Sequence, residues 1–452
     1  MNLAERMRGW GSQAQAIILA GGLGSRLKER LGTLPKPMIP IGGKPLIEHQ
    51  VELACHYGFR NILIFSCYGS ELIEAHLGSG SRWRAKIEFE VEDRPLGTAG
   101  AVLRGFERLQ EQFLVLYGDT MINVDLGRFW HRHQEGGASA TLFLHPNDHP
   151  LDSDLVEVDV NANVISFHNR PHPPGAFFQN LVNAGLYAIR KESLAAWKYN
   201  QSPMDFGKDL FPEMLKRGVR LAGYNSPEYI KDIGTPDRYD RVCAEYVSGV
   251  VQGGSMDSMQ TAVFLDRDGT LNEEVDGVCH PEDLRLIDGV AEAIYRLNRA
   301  GIRAVLVTNQ PVIAKGFCTE ADVRAVHNKL ETLLGAGHAF LDRIYFCPHH
   351  PEKGFPGERP ELKIECACRK PDVGMIHQAV TDLNIDLSQS WMIGDTSTDM
   401  QTARNAGLRS ILVRTGHGGR DGKFAAQPDF SFDQLGEAVD FILGQRVGAG
   451  AL

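Results

Sequence analysis

AIILAGGLGSRL (residues 16–27) is an apolar run that passes straight into a glycine-rich loop ending in a cation, Arg26. Glycines let backbone N–H groups come close to a polyphosphate and point at it. Gly21, Gly22, Gly24, Ser25 and Arg26 are therefore candidate nucleotide-binding residues, and Lys36 in LPKP (34–37) supplies a second cation. Runs of the same β-forming kind recur outward from here: NILIFS (61–66), FLVLYGD (113–119), AVFLDRD (262–268), RAVLVTN (303–309) and WMIGD (391–395). Stretches of helical period lie between them, such as AEAIYRLNRAG (291–301) and DVRAVHNKLETLLG (322–335). Strands alternating with helices predict α/β domains on mostly parallel sheets.

A chain of 452 residues exceeds one ordinary domain. The stretch VSGVVQGGSMDSMQ (247–260), rich in Gly and Ser, marks the division. The expected domains are 1–250 and 261–452, joined by a flexible linker at 251–260. A net charge of −10 argues against a nucleic-acid partner, while local cationic clusters can still hold phosphorylated metabolites. No membrane partner is expected, because the apolar runs are too short to span a bilayer. MNLAERMRGWGSQAQ at the N-terminus has no apolar core of a secretory signal. Eight cysteines in that setting point to a reducing cytoplasm, where Cys clusters hold metal more often than they form disulfides. The oligomeric state is left open, a homo-oligomer included.

VFLDRDGTLN (263–272) sets Asp266 and Asp268 two apart at a strand end, so both aim to one side. Such a pair can divide the work of nucleophile and acid/base. CPHHPEKGFPGERPELKIECACRKP (347–371) holds Cys347, His349, Cys366 and Cys368 as C-x-H and C-x-C, sixteen residues apart. Three sulfur ligands and one nitrogen suit a closed, structural Zn²⁺ site. His350 is the alternative nitrogen ligand and a disulfide the lesser alternative. Cys55, Cys67, Cys243, Cys279 and Cys318 are scattered.

Five motifs in order, GGLGSR with KP, PLGTAGA (95–101), YGD (117–119), NAGLY (183–187) and DIGTP (232–236), resemble the sugar-1-phosphate nucleotidyltransferase family over about residues 14–245. The resemblance implies a Rossmann-like domain with a mixed sheet flanked by helices. It places the triphosphate on Gly21–Arg26 and Lys36, the base and ribose along Gly97 and Thr98, Mg²⁺ on Asp119 and Asp232, and the sugar on Asn183. In that family Glu-Lys-Pro often precedes the Asn-Ala-Gly motif; here FHNRP (167–171) puts Arg170 there, a charge for the sugar phosphate.

VFLDRDGTLN, VTNQ (307–310), CRKP (368–371) and MIGDTSTDM (392–400) together resemble phosphatases of the haloacid dehalogenase superfamily, over about residues 261–445. A Rossmannoid domain is implied, with Asp266 as nucleophile and Asp268 as acid/base. Thr308 and Asn309 would bind the phosphoryl oxygens, with Lys370 balancing charge. Asp395 would complete the Mg²⁺ site with Asp266 and the backbone of Asp268. The zinc loop narrows the likeness to a subgroup of heptose-bisphosphate and histidinol phosphatases, in which Arg369 and Lys370 follow the last zinc ligand. Pro311 and Thr396 depart from its usual pattern.

The two halves converge if one makes the other's substrate. Heptose 1,7-bisphosphate would lose its 7-phosphate in the second half, and heptose 1-phosphate would take GMP from GTP in the first. Alternatives are another sugar or base, or one half serving as a sugar-phosphate sensor.

Overall fold

The computed structural model describes residues 14–22, 24–27, 30, 32, 34–200, 202–275 and 277–449, apart from the side chains of Ser25 and 446–449. The signal-peptide reading falls on the N-terminal stretch, and residues 1–13 of it lie outside the described residues.

Two compact units emerge. The first comprises residues up to His145, Val156–Asn169 and Asn183–Ser255; the second comprises Pro146–Leu155, Arg170–Val182 and the chain from Met256. Val250–Gly253 forms a short helix whose Val251 joins the first unit's core, and Met256 is buried in the second.

The first unit is built on a mixed nine-stranded sheet flanked by helices. Its strands are β1 (Gln15–Ala20), β2 (Asn61–Ser66), β3 (Lys86–Val91), β4 (Gln112–Tyr117), β6 (Ala140–His145), β7 (Leu155–Val158), β8 (Val164–His168), β9 (Val182–Arg190) and β10 (Leu221–Asn225). The short hairpin-like pair β5 (Thr120–Asn123) and β11 (Tyr229–Asp232) lies outside it. The main path runs β8-β7-β9-β4-β1-β2-β3, with β6 joining β9 to β10. β1 runs parallel to both β2 and β4, and β9 returns antiparallel to β4. Near-continuous apolar burial along β1 and β4 follows from cover on both faces. The chain winds outward from β1 to β3 and then crosses to the other side as β4. That reversal opens a crevice at the carboxyl ends of β1 and β4, the place where such sheets take ligands.

The second unit carries six parallel strands: β12 (Ala262–Leu265), β13 (Arg303–Asn309), β14 (Arg343–Cys347), β15 (Trp391–Gly394), β16 (Arg409–Val413) and β17 (Phe430–Phe432). Their order, β14-β13-β12-β15-β16-β17, is doubly wound, with its switch between β12 and β15. Four helices matter for the sites: α1 (Gly97–Arg104), α2 (Pro236–Val247), α3 (Glu320–Ala336) and α4 (Ser397–Ala406). α3 and α4 both start on a capping box, Thr319 with Asp322 and Thr396 with Asp399, which satisfies free N–H groups at each helix start. Among the described residues no helix is long and apolar enough to cross a membrane.

Candidate active sites

At the first crevice the loop after β1 meets the end of β4. Gly118 donates its N–H to the Leu19 carbonyl at 2.9 Å, an approach that leaves no room for a Cβ. Asp119 follows, and its Oδ2 accepts from Lys36 Nζ at 2.6 Å. Lys36 is buried, so the loop cation and the strand-end carboxylate form one charged pair. β11 pairs with β5 so that Asp232 sits opposite Thr120, and Ile233 N–H donates to the Asp119 carbonyl. The sheet register thus brings Asp119 and Asp232 to adjacent strand ends.

Asp232 is held by a residue the sequence reading missed. Arg238 Nη1 reaches both its oxygens, at 2.9 and 2.6 Å, from the first turn of α2. Burial works to raise the Asp232 carboxyl, but Arg238, the Gly234 N–H and the Lys36 charge outweigh it and hold it below the usual range. Arg26 also belongs here: a Cβ on Gly234 would meet Asp232 and then the Arg26 guanidinium. Leu23 and the side chain of Ser25 lie outside the described residues.

Gly97 opens α1 with φ +75°, and a Cβ there would strike the Met204 carbonyl at 2.5 Å. Thr98 is fully engaged: its hydroxyl donates to Asp205 and accepts from Tyr117 Oη and the Phe206 N–H. It positions the 204–206 loop. Asn183 lies beside that loop, its Nδ2 close to Gly207, and its Oδ1 is buried with no hydrogen-bond donor in reach among the described residues. Such an acceptor fits a hydroxyl donor from a bound sugar. The Arg170 guanidinium donates to the Asp152 carbonyl at 2.6 Å and lies 3.9 Å from Asp154, in the second compact unit. Its side chain is more than half exposed beside these two partners.

Glu92 was also missed. It immediately follows β3, is buried, and abuts Gly21, where a Cβ would approach its Oε2 to 3.1 Å. Among the described residues its Oε1 has no donor, and burial raises its carboxyl above the usual range. The signal was present in VEDRPLGT, but an acidic residue at a strand end is too common to single out.

At the second switch point Asp266 follows β12 and Asp395 follows β15. Both share a cage with Asp399, their ligating oxygens within 4.8 Å of one another. Burial first, and then the Asp399 charge, push the Asp266 carboxyl well above the usual range, against the pull of Lys370. Asp395 is pushed up to about 7, chiefly by burial. Its Oδ1 is buried without a donor. Crowded carboxylates with an orphaned oxygen are what a hard divalent cation relieves, so the residues fit Mg²⁺. Lys370 Nζ bridges Asp266 at 2.9 Å and Asp399 at 2.6 Å. Asp399 went unnoticed in the sequence because it sits inside a helix. Thr396, which departs from the subgroup pattern, is its cap: each of the two bonds back to the other. Gly269, at φ +73°, lies so close to Asp395 that a Cβ would overlap its carboxylate.

Asp268, two residues on from Asp266, has both oxygens saturated. Oδ1 accepts from Arg267 Nε and Asn272, and Oδ2 accepts from Arg267 Nη2 and Gln310. Burial works to raise Asp268, but these donors, Arg267 above all, hold it below the usual range. Thr308 is buried, and its hydroxyl accepts from Gln310. Asn309 exchanges two hydrogen bonds with the Lys370 backbone, each 3.0 Å, and so positions the lysine.

Cys347, His349, Cys366 and Cys368 form a second cluster within 4.8 Å, His349 contributing Nδ1 at 3.3 Å from Cys368. The sulfurs stand 3.2–3.6 Å apart, unbonded. The four atoms form a cage able to bind a metal. His350 turns away, its Nδ1 facing the Glu352 carbonyl and Lys363. Arg369 donates to the His349 carbonyl at 3.1 Å, tying the cage to the strand end beside Lys370.

A nucleotidyl transferase family model matches residues 15–248, and a HAD-hydrolase-like one matches residues 367–438. The second half is 45% identical over 188 residues to a D-glycero-D-manno-heptose-1,7-bisphosphate 7-phosphatase of Thermosynechococcus vestitus, covering 40% of this chain and 94% of that protein. It is 43% identical to a D-glycero-beta-D-manno-heptose-1,7-bisphosphate 7-phosphatase of Haemophilus ducreyi, covering 34% and 84%. The crystal structure of HddC from Yersinia pseudotuberculosis is 26% identical, covering 51% of this chain and 99% of that one, with a TM-score of 0.44.

Proposed function

Because the chain belongs to the nucleotidyl transferase family and, through its second half, to that of the heptose-bisphosphate phosphatases, we propose that it makes a nucleotide-activated heptose in two steps. Both a transferase and a phosphatase activity follow from the two families. The second half removes the 7-phosphate of D-glycero-α-D-manno-heptose 1,7-bisphosphate. The first joins the resulting 1-phosphate to GMP from GTP, releasing pyrophosphate. The observation that carries the sugar assignment is the 45% identity to a heptose-bisphosphate phosphatase across nearly all of that protein. Support for guanine comes from Glu92. A buried carboxylate with a free oxygen complements the two adjacent donors on guanine's pairing edge, N1–H and the amino group, better than the single imide N–H of uracil.

In the phosphatase half Asp266 attacks phosphorus as Asp268 gives its proton to the departing sugar oxygen; Asp268 then takes a proton from the water that releases phosphate. Thr308 lines the phosphoryl site, Asn309 orients Lys370, and Lys370 offsets the charge on the transferring oxygens. Mg²⁺, when held by Asp266, Asp395, Asp399 and the Asp268 backbone, supplies positive charge where phosphate and carboxylates meet. In the transferase half the Gly21–Arg26 loop and Lys36 cradle the triphosphate, Asp119 and Asp232 hold the cation, and Asn183 takes the sugar. The cysteine cage holds zinc, fixing the segment that delivers Lys370. The setting is cytoplasmic, where thiols stay reduced and GTP is supplied.

Incubating the full chain with each anomer of heptose 1,7-bisphosphate, GTP and Mg²⁺ tests this by mass spectrometry. GDP-heptose is expected from the α anomer. Asp266→Asn should stop phosphate release, and with it pyrophosphate release unless heptose 1-phosphate is added, which should restore it; Asp119→Asn should stop pyrophosphate release alone. A preference for UTP or for mannose 1-phosphate would overturn the specificity, and turnover untouched by either change would mean that half is a sensor.

A further inference from the structure

Arg267 is the largest of the fully buried side chains, yet it lies between two carboxylates of the phosphatase site. A buried guanidinium must place its donors, and four are accounted for. Nε and Nη2 each meet one oxygen of Asp268 at 3.0 Å, a two-pronged grip. Nη2 also donates to Gln310 Oε1 at 3.0 Å, and Nη1 faces His327 Nε2 at 3.3 Å from α3. Arg267 cannot lose its proton, so Nη1 donates and His327 accepts at Nε2. His327 is itself buried and packed edge-on against Phe346, which fixes the ring. Gln310 closes the circuit, because its amide donates to Asp268 and to Thr308.

We infer that Arg267, seated by His327 and Gln310, is the positioning residue that aims the Asp268 carboxyl at the leaving-group oxygen. The inference rests on the phosphatase reading above. A carboxyl on a single rotatable stem sweeps a wide arc, and two parallel N–H bonds fix both its plane and its direction. When Asp268 carries the proton, Asn272 is the donor that yields, since its amide also reaches the Glu273 carbonyl at 2.9 Å and keeps a partner. In the transfer step the Asp266 oxygen bonds to phosphorus, the bond from phosphorus to the sugar oxygen breaks, and the Asp268 proton goes to that oxygen. Arg267 touches neither reacting atom. Its loss removes aim, and a displacement on the order of 1 Å costs about 100-fold in rate.

The test compares two leaving groups in the full-length chain by rapid quench. A sugar alcohol needs the proton, while p-nitrophenolate leaves without it. Arg267→Met is expected to lower the ratio of sugar-phosphate to p-nitrophenyl-phosphate cleavage about 30-fold or more. His327→Leu should lower it about 10-fold, and His327→Asn, which can still accept from Arg267, should bring it back within about 3-fold of wild type. Asp268→Asn must depress the same ratio; if it does not, the acid role itself fails. If Asp268→Asn depresses it while the Arg267 and His327 variants slow both substrates equally, or neither, the positioning role alone is overturned. Should Arg267→Met fail to fold, the His327 pair decides by the same criterion.

Discussion

Lys370 Nζ lies 2.6 Å from Asp399 Oδ1, so the lysine is anchored to the N-terminal turn of a helix as well as to Asp266. Without that cation, Asp266, Asp395 and Asp399 would face one another unscreened. Lys370→Met should cut phosphate release at least 100-fold. In metal-free protein it should also destabilise the second unit by about 3–5 kcal/mol, the cost of breaking a buried pair. Thermal melts with chelator and then with excess Mg²⁺ check this: the cation should recover part of the loss in the variant, and more there than in the parent.

Base choice should reside in Glu92. Replacing it by Gln keeps shape but exchanges an acceptor for a donor on one side. We expect kcat/KM for GTP to fall between about 5- and 100-fold, following the 1–3 kcal/mol value of a two-point base contact. Turnover with UTP should change by less. A uniform loss across all nucleotides would assign Glu92 to loop packing instead.

Acid should loosen the first unit through His133. The ring is buried on the helix Leu126–Gly136, facing the Thr141 hydroxyl at 2.9 Å. Burial, aided by the Arg190 charge, lowers its pKa to about 4 from 6.5. Between those values the unfolded chain binds the extra proton, so stability is full above pH 6.5 and declines as pH falls toward 4. The drop is about 3 kcal/mol across the window. Urea melts between pH 7 and 4 should show this slope, and His133→Leu, though less stable at pH 7, should flatten it.

Chelating the metal from the cysteine cage should raise KM for the bisphosphate several-fold, because Arg369 and Asn309 link that segment to Lys370. Metal analysis is expected to give one zinc per chain, lost in Cys368→Ser. Unchanged KM in zinc-free protein would uncouple the cage from catalysis.

Much of this was legible in one dimension. Apolar runs marked β1, β2 and β13 within a residue of their observed ends, and β12 within three. Residues fixed by local grammar, such as Asp266 and Asp268 past a strand end, were readable for the same reason. Those fixed by tertiary register were not. Arg238, Asp399, Glu92 and His327 each lie on an element whose own pattern is satisfied by a helix turn or a strand end, and only folding brings them to a site. Arg170 sits on a motif position that the sequence makes plain, while its contacts with the Asp152 carbonyl and Asp154 became visible only in the fold.

The second compact body is discontinuous in the chain, because residues 146–155 and 170–182 belong to it. Within it, the Asn180 N–H donates to Glu331, whose carboxyl burial lifts to about 7. No single backbone cut can therefore release that body whole. A gene divided at residue 255 would strip Glu331 of its cover and expose its apolar surroundings. Splitting this protein into two freestanding enzymes calls for redesign of that surface.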